Sequence, residues 1–114
     1  MRVRIVRPHV SSYPDPIGFS AGEAVWVGRE DTEFPGWFRC RVAAGNEGWV
    51  HGSYLAETTA GKTVAMRGYS ARELTVEDGE TGVVVESLDG WILVRLEGGE
   101  TGWIPKGVSG VEQA

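Results

Sequence analysis

Apolar and polar residues alternate along most of the chain in short stretches that end at glycine, proline or acidic residues. In the stretch WFRCRV, which begins at Trp37, Phe38, Cys40 and Val42 fall on one face of a strand, and the tryptophan and both arginines fall on the other. No segment shows a 3.6-residue apolar period. The pattern predicts an all-β barrel or sandwich. We expect strands over 3–5, 24–27, 37–42, 48–50, 63–66, 82–86, 91–96 and 102–105, with a 3₁₀ turn over 53–55.

The second half of the chain repeats the first. The stretch GNEGWVHGSYL returns in altered form as GGETGWIPKGV. Glu23 recurs as Glu80, 57 residues later, whereas Trp37 recurs as Trp91, 54 residues later. The single step of three falls in the proline- and glycine-containing loop before Trp37, where insertions are tolerated. The offsets predict two copies of one unit, with domains over 1–57 and 63–114 and a polar linker over 58–62.

Length and composition limit how independent the copies are. The chain has 114 residues, so each copy is near the lower size limit for folding alone.

The single cysteine excludes an intrachain disulfide and fits a reducing compartment. The N-terminus is too charged for the apolar core of a signal peptide, and no apolar run is long enough to span a membrane. We therefore expect a cytoplasmic protein.

The net charge of −5 restricts the classes of partner. An acidic chain without a basic stripe argues against binding to a phosphate backbone, so no nucleic-acid partner is expected. Its field favours a basic segment instead.

Each copy resembles an SH3 domain, over residues of about 3–57 and 63–111. The resemblance consists of three features that follow one another in each copy. First, an aliphatic residue and then an aromatic or aliphatic residue precede Gly-Glu. Second, a tryptophan opens a strand, and third, the motif Gly-x-x-Gly-Trp follows. These features are found at Ile17, Phe19, Gly22, Glu23, Trp37 and Gly48-Trp49, and at Leu74, Val76, Gly79, Glu80, Trp91 and Gly102-Trp103. The resemblance implies an all-β protein made of two tandem SH3-like five-stranded small barrels, a fold that usually binds extended proline-rich peptides.

The copies depart from the family pattern in their aromatic residues. The opening aromatic motif is poorly kept, and in that region only Tyr69 of the second copy matches it. The late Pro-x-x-Tyr motif is divided: the first copy has His51 and Tyr54, and the second has Pro105 and Val108. Neither copy holds the full aromatic set, and in this the copies look like bacterial or variant SH3-like domains.

The candidate ligand-binding residues follow from the walls that a polyproline II ligand needs, which are flat and apolar. Acidic residues in the flanking loops would pair with a ligand Arg or Lys. The alternative is that the tyrosines pack loops and the acids form a solvated rim. The candidates are Tyr13, Asp15, Glu33, Trp37, His51 and Tyr54 in the first copy, and Tyr69, Trp91 and Pro105 in the second.

No catalytic set, metal-ligand spacing or nucleotide-binding loop is readable, so no enzyme activity, metal or cofactor is expected. The leading hypothesis is an interaction module that binds a peptide or protein, with a basic or proline-rich ligand as one candidate, through the Trp37/Tyr54 face. No membrane partner is expected. Two alternatives stay open: a bacterial cell-wall or glycan-targeting module, and a structural block that dimerises. The oligomeric state is not predicted.

Overall fold

The computed structural model describes residues 1–11, 16–57 and 62–111, the side chain of Val111 excepted. Short strands and two 3₁₀ turns, at Gly52–Tyr54 and Lys106–Val108, make up its regular structure, so the all-β prediction is confirmed. The strands are β1 (Arg2–Ile5), β2 (Gly18–Phe19), β3 (Trp26–Glu30), β4 (Trp37–Arg41), β5 (Glu47–His51), β6 (Leu55–Glu57), β7 (Thr63–Ala65), β8 (Tyr69–Ser70), β9 (Thr81–Leu88), β10 (Trp91–Leu96), β11 (Thr101–Pro105) and β12 (Ser109–Val111).

The chain forms two compact units. One combines Met1–Pro14 with Arg72–Ala114, and we call it the split unit. The other is Asp15–Ala71, and we call it the continuous unit.

The split unit contains a five-stranded antiparallel sheet in the order β11-β10-β9-β1-β12. Strand β1 lies between β9 and β12, with Val3 opposite Gly82 on one side and Val111 on the other. The alternation of arginine with Val3 and Ile5 in β1 places both aliphatic side chains in the core. That core consists of Val3, Ile5, Leu74, Val76, Ile92, Val94 and Ile104.

The continuous unit is built from three smaller sheets. Strands β3, β4 and β5 form a meander, β2 pairs with β8, and β6 pairs with β7. The 3₁₀ turn at Gly52–Tyr54 joins β5 to β6. The buried apolar side chains of the continuous unit are those of Ile17, Phe19, Val25, Trp37, Cys40, Val42, Val50, Tyr54 and Ala65.

The opening strand of each copy pairs with strands of the other copy. Strand β1, from the first copy, pairs with β9 and β12, whereas β7, which opens the second copy, pairs with β6. The compact units therefore differ from the sequence-order division into 1–57 and 63–114. The short connection over 58–62 accounts for the β6–β7 pair, because joining strands that are close in sequence costs little loop-closure entropy.

Two valines in the strands lie outside the cores. Val27 and Val85 both face solvent, and each strand has a register irregularity close to that residue. An extra residue in one strand of a pair changes which side chains point inward. Alternation along the sequence does not reveal such an irregularity, so it does not predict that these two valines face solvent.

Candidate functional site

Aromatic rings from both copies come together in the continuous unit. The ring centroids of Tyr54 and Tyr69 lie 4.5 Å apart, and those of Phe19 and Tyr69 lie 5.4 Å apart. The Tyr69 hydroxyl donates a 2.7 Å hydrogen bond to the Trp49 carbonyl, which fixes the orientation of its ring. Tyr69 opens β8, which pairs with β2 and so brings this ring to Phe19. One unit therefore holds rings that the sequence order assigned to different copies.

An arginine covers the innermost of these rings. The Cζ atom of Arg67 lies 3.8 Å from the centroid of the Tyr54 ring, and one of its terminal nitrogens is 3.5 Å from the Ser53 hydroxyl. Tyr54 is only 3% exposed. A guanidinium on an aromatic face occupies the place where a ligand ring would stack. Sequence reasoning missed Arg67, although an arginine precedes the opening motif of both copies, at Arg7 and Arg67.

Trp37 and His51 face each other across β4 and β5. They are register partners, and their rings meet edge to face with centroids 5.2 Å apart. Trp37 is 4% exposed, whereas His51 is partly exposed. The His51 Nδ1 accepts the Ser53 backbone N–H, so this ring also caps the 3₁₀ turn that carries Tyr54. Trp37 is thus covered in this structure, and its role as a ligand-binding residue stays a prediction.

The acidic loop before Trp37 is held by two of its own carboxylates. Glu30 accepts a hydrogen bond from the Gly36 amide, and Asp31 accepts one from the Glu33 amide, both at 2.8 Å. The side chains of Glu30 and Asp31 therefore stabilise the loop. Glu33 is exposed, which agrees with its predicted place on a loop.

The split unit carries the equivalent set of positions with fewer aromatic rings. His9 takes the place of Tyr69 and meets the edge of Trp91 at a centroid distance of 6.3 Å. Its Nε2 is hydrogen-bonded to the Glu73 carboxylate. Pro105 lies opposite Trp91 in the register of β10 and β11, and both are partly exposed. The structure therefore places the predicted residues Trp91 and Pro105 together, and Tyr69 with the other set.

The remaining predicted residues have separate outcomes. Tyr13 and Asp15 lie outside the described residues. Cys40, which alternation places on one strand face with Phe38 and Val42, is buried. Burial raises the pKa of its thiol to about 11, an effect that a hydrogen bond with the Gly28 backbone partly offsets. The thiol is therefore protonated at neutral pH and is a poor nucleophile.

Within residues 1–11, 16–57 and 62–111, His, Cys, Asp and Glu side chains do not gather into a group that would hold a metal ion. The same part of the chain contains no helix that is long and apolar enough to cross a membrane.

Comparison with protein families identifies both copies. Residues 2–58 match a family model described as variant SH3 domain, and residues 67–106 match one described as SH3 domain. No significant match to a curated protein or to a solved structure was found. The family models follow the copies in sequence order, which is why the exchange of opening strands is visible only in the three-dimensional units.

Proposed function

Since the chain belongs to the SH3 family and carries two SH3-type domains in tandem, we propose that it is a non-enzymatic module that binds a peptide or protein through the continuous unit. SH3 domains are protein-interaction modules as a class and are not catalytic. The proposed binding surface is the Trp37/Tyr54 face, which we define as Trp37, His51, Tyr54, Arg67 and Tyr69.

The observation that carries the proposal is the 4.5 Å approach of Tyr69 to Tyr54. Each copy read in sequence order lacks part of the aromatic set, but the continuous unit holds two tyrosines, a tryptophan and a histidine on neighbouring elements. Adjacent flat rings are the walls against which the proline rings of an extended ligand pack.

The charges near this face suggest how a ligand would lie. Arg67 stands over Tyr54, so a ligand lysine or arginine is repelled at this end of the face. Glu33 is exposed on the loop that precedes Trp37. A proline-rich segment with its basic side chain directed toward Glu33 therefore fits best.

The burial of Trp37 and Tyr54 means that a ligand must displace what covers them. Arg67 is the cover that the structure identifies over Tyr54. An exposed cation–π contact contributes about 0.5–1 kcal/mol, so Arg67→Ala should raise the affinity for a proline-rich peptide by about two- to fivefold. His51→Ala should weaken binding, because His51 lies beside Trp37 and is partly exposed.

Titration of the full chain with a library of basic proline-rich peptides, followed by tryptophan fluorescence and by NMR, tests this proposal. Trp37→Ala would confound folding with binding because Trp37 is buried, so His51→Ala and Arg67→Ala are the informative variants. Arg7→Ala, at the position of the split unit that is equivalent to Arg67, is the control. The proposal is rejected by the absence of binding, or by binding that neither His51→Ala nor Arg67→Ala alters.

A further inference from the structure

Three arginines and two tryptophans share one face of the meander in the continuous unit. In the register of β3, β4 and β5, Arg41 lies opposite Trp26, and Arg39 lies opposite Trp49. The Cζ atom of Arg41 is 5.4 Å from the Trp26 ring centroid. The Cζ atoms of Arg29 and Arg39 are 5.3 Å and 5.8 Å from that of Trp49. We call these five residues the arginine–tryptophan face.

This face is open to solvent. All residues of β3 are exposed, and Trp26, at the start of that strand, is 50% exposed. Arg41 is exposed, and Arg39 and Trp49 are partly exposed. In the part of the chain that the structure describes, β4 is the strand that pairs with β3, and the backbone immediately before β3 pairs with β7 through Val25 and Thr63. The outer edge from Val27 to Glu30 has no strand partner among the described residues.

The charge of the face is opposite to that of the whole chain. Among the described residues that line the cavity beside Trp26, three are arginines, at positions 29, 39 and 41, and one is acidic, Glu47, which is the register partner of Arg41. The chain as a whole has a net charge of −5. Alternation already places Arg39 and Arg41 on one face of β4, but Arg29 joins them only through the pairing of β3 with β4, so the sequence shows no basic stripe.

The cation–π contacts do not use up the hydrogen-bonding capacity of the arginines. A guanidinium that lies over a ring keeps its N–H groups at the edge, where they can donate two parallel hydrogen bonds to a carboxylate. Each exposed contact contributes only about 0.5–1 kcal/mol, which is a small stabilisation for an arrangement that leaves half of a tryptophan side chain in water. Stability alone therefore does not explain the arrangement.

The equivalent positions of the split unit lack this arrangement. Val83 lies opposite Arg95 where the continuous unit has Trp26 opposite Arg41, and Leu93 stands where the continuous unit has Arg39. Trp103, the counterpart of Trp49, is buried. The face therefore belongs to one copy and is not a requirement of the shared fold.

We propose that the arginine–tryptophan face binds an acidic segment of a partner polypeptide, added as a strand along the outer edge of β3. An added strand places alternate side chains on the same side of the sheet as the arginines, so carboxylates at alternate positions would face them. This surface is distinct from the Trp37/Tyr54 face in its charge and in the chemistry of its ligand.

A polypeptide fits this face better than a nucleic acid does. Its backbone can pair with the exposed edge of β3, which a phosphate backbone cannot do. Three arginines neutralise only a short stretch of charge, and the net charge of −5 repels the rest of a long polyanion.

The test is titration of the full chain with a synthetic peptide that alternates glutamate and threonine, followed by tryptophan fluorescence and by NMR at two salt concentrations. Binding should weaken as the salt concentration rises. Arg41→Glu should lower the affinity about tenfold or more, since it replaces attraction by repulsion. Arg95→Glu, at the equivalent exposed position of the split unit, should leave the affinity within about twofold.

Trp26→Ala is the second variant, because a half-exposed side chain can be truncated without opening a cavity, and it should also weaken binding. His51→Ala and Arg67→Ala should leave the binding of this peptide unchanged, which separates this proposal from that for the Trp37/Tyr54 face. Absence of peptide binding, equal losses in Arg41→Glu and Arg95→Glu, or preference for an oligonucleotide of the same charge would overturn it.

Discussion

The two arginines that precede the opening motifs show how one position serves different purposes in the two copies. Arg67 covers the ring of Tyr54, whereas Arg7 donates a 2.5 Å hydrogen bond to the Gly107 carbonyl. Both reach the 3₁₀ turn of their unit. The split unit has Val108 where the continuous unit has Tyr54, so Arg7 has no ring to cover and binds the backbone of the turn.

The glycines that precede Trp49 and Trp103, at equivalent positions of the two copies, have a packing role. A Cβ atom at Gly48 would lie 2.7 Å from the Ile17 Cγ2, and one at Gly102 would lie 2.7 Å from the Leu74 Cγ. Ile17 and Leu74 occupy equivalent positions in the two copies, and both are fully buried. The Gly-Trp motif therefore reflects the close approach of a core side chain to the strand backbone.

Gly102→Ala should lower the free energy of unfolding by about 1–3 kcal/mol, because the added methyl group meets Leu74 and the Arg72 carbonyl in a packed core. Urea denaturation followed by tryptophan fluorescence measures the change. Gly98→Ala is the matched control, since a Cβ atom there meets no atom within 4 Å. Equal stabilities of the two variants would show that the approach to Leu74 does not restrict this position.

At the scale of elements, the opening strands decide which residues form each core. Ile5 is fully buried in the split unit, among side chains of the second copy such as Leu74 and Ile104. The backbone hydrogen bonds of the two opening strands correspond closely. The Ile5 amide donates to the Glu80 carbonyl, and the Ile5 carbonyl accepts from the Gly79 amide. Ala65 makes the same two hydrogen bonds, with Glu23 and Gly22. The two opening strands thus make equivalent contacts, each with the copy to which it does not belong in sequence.

Ile5→Ala should cost about 2–5 kcal/mol of stability, and the disturbance should appear in the split unit. In an NMR spectrum of the tryptophan indole groups, Trp91 and Trp103 should shift, while Trp26, Trp37 and Trp49 should not. Val6→Ala is the control, because Val6 is the next residue and is 46% exposed. Shifts confined to the tryptophans of the first copy would contradict the exchange of opening strands.

At the scale of the whole molecule, the two units differ in how they are encoded. The continuous unit is one segment, and among the described strands β2 to β8 pair with one another. The split unit needs both ends of the chain, because β1 supplies Val3 and Ile5 to a core whose other members lie after residue 71.

A fragment of residues 15–71 should therefore fold alone, whereas a fragment of residues 72–114 should not fold until a peptide of residues 1–14 is added. Circular dichroism and the dispersion of NMR signals report both results. A peptide of the same length with Val3 and Ile5 replaced by serine is the control, and it should not restore folding. A folded 72–114 fragment, or an unfolded 15–71 fragment, would show that the units are not encoded in this way.

The sequence predicted the longer strands because alternation and turn residues are local properties, whereas the short strands β2, β6, β8 and β12 have no expected range. The hairpin of β4 and β5, the 3₁₀ turn beside Tyr54 and the burial of Cys40 all follow from residues that are neighbours in the chain. Duplication was also readable, since equivalent residues recur at near-constant offsets, and the family of both copies is confirmed.

Tertiary structure alone decided which copy each opening strand completes. The two opening segments have equivalent patterns, so the pattern alone would allow each of them to pair in either unit. Which unit each segment completes depends on the length and closure of the connections. The same choice brought Tyr69 to Tyr54, and strand pairing brought Arg29, Trp26 and Trp49 beside the two arginines of β4. The sequence by itself determined the kinds of element and their repetition, because these depend on neighbouring residues. The partners of each strand, and hence the candidate binding faces, depend on contacts between distant residues that no local pattern specifies.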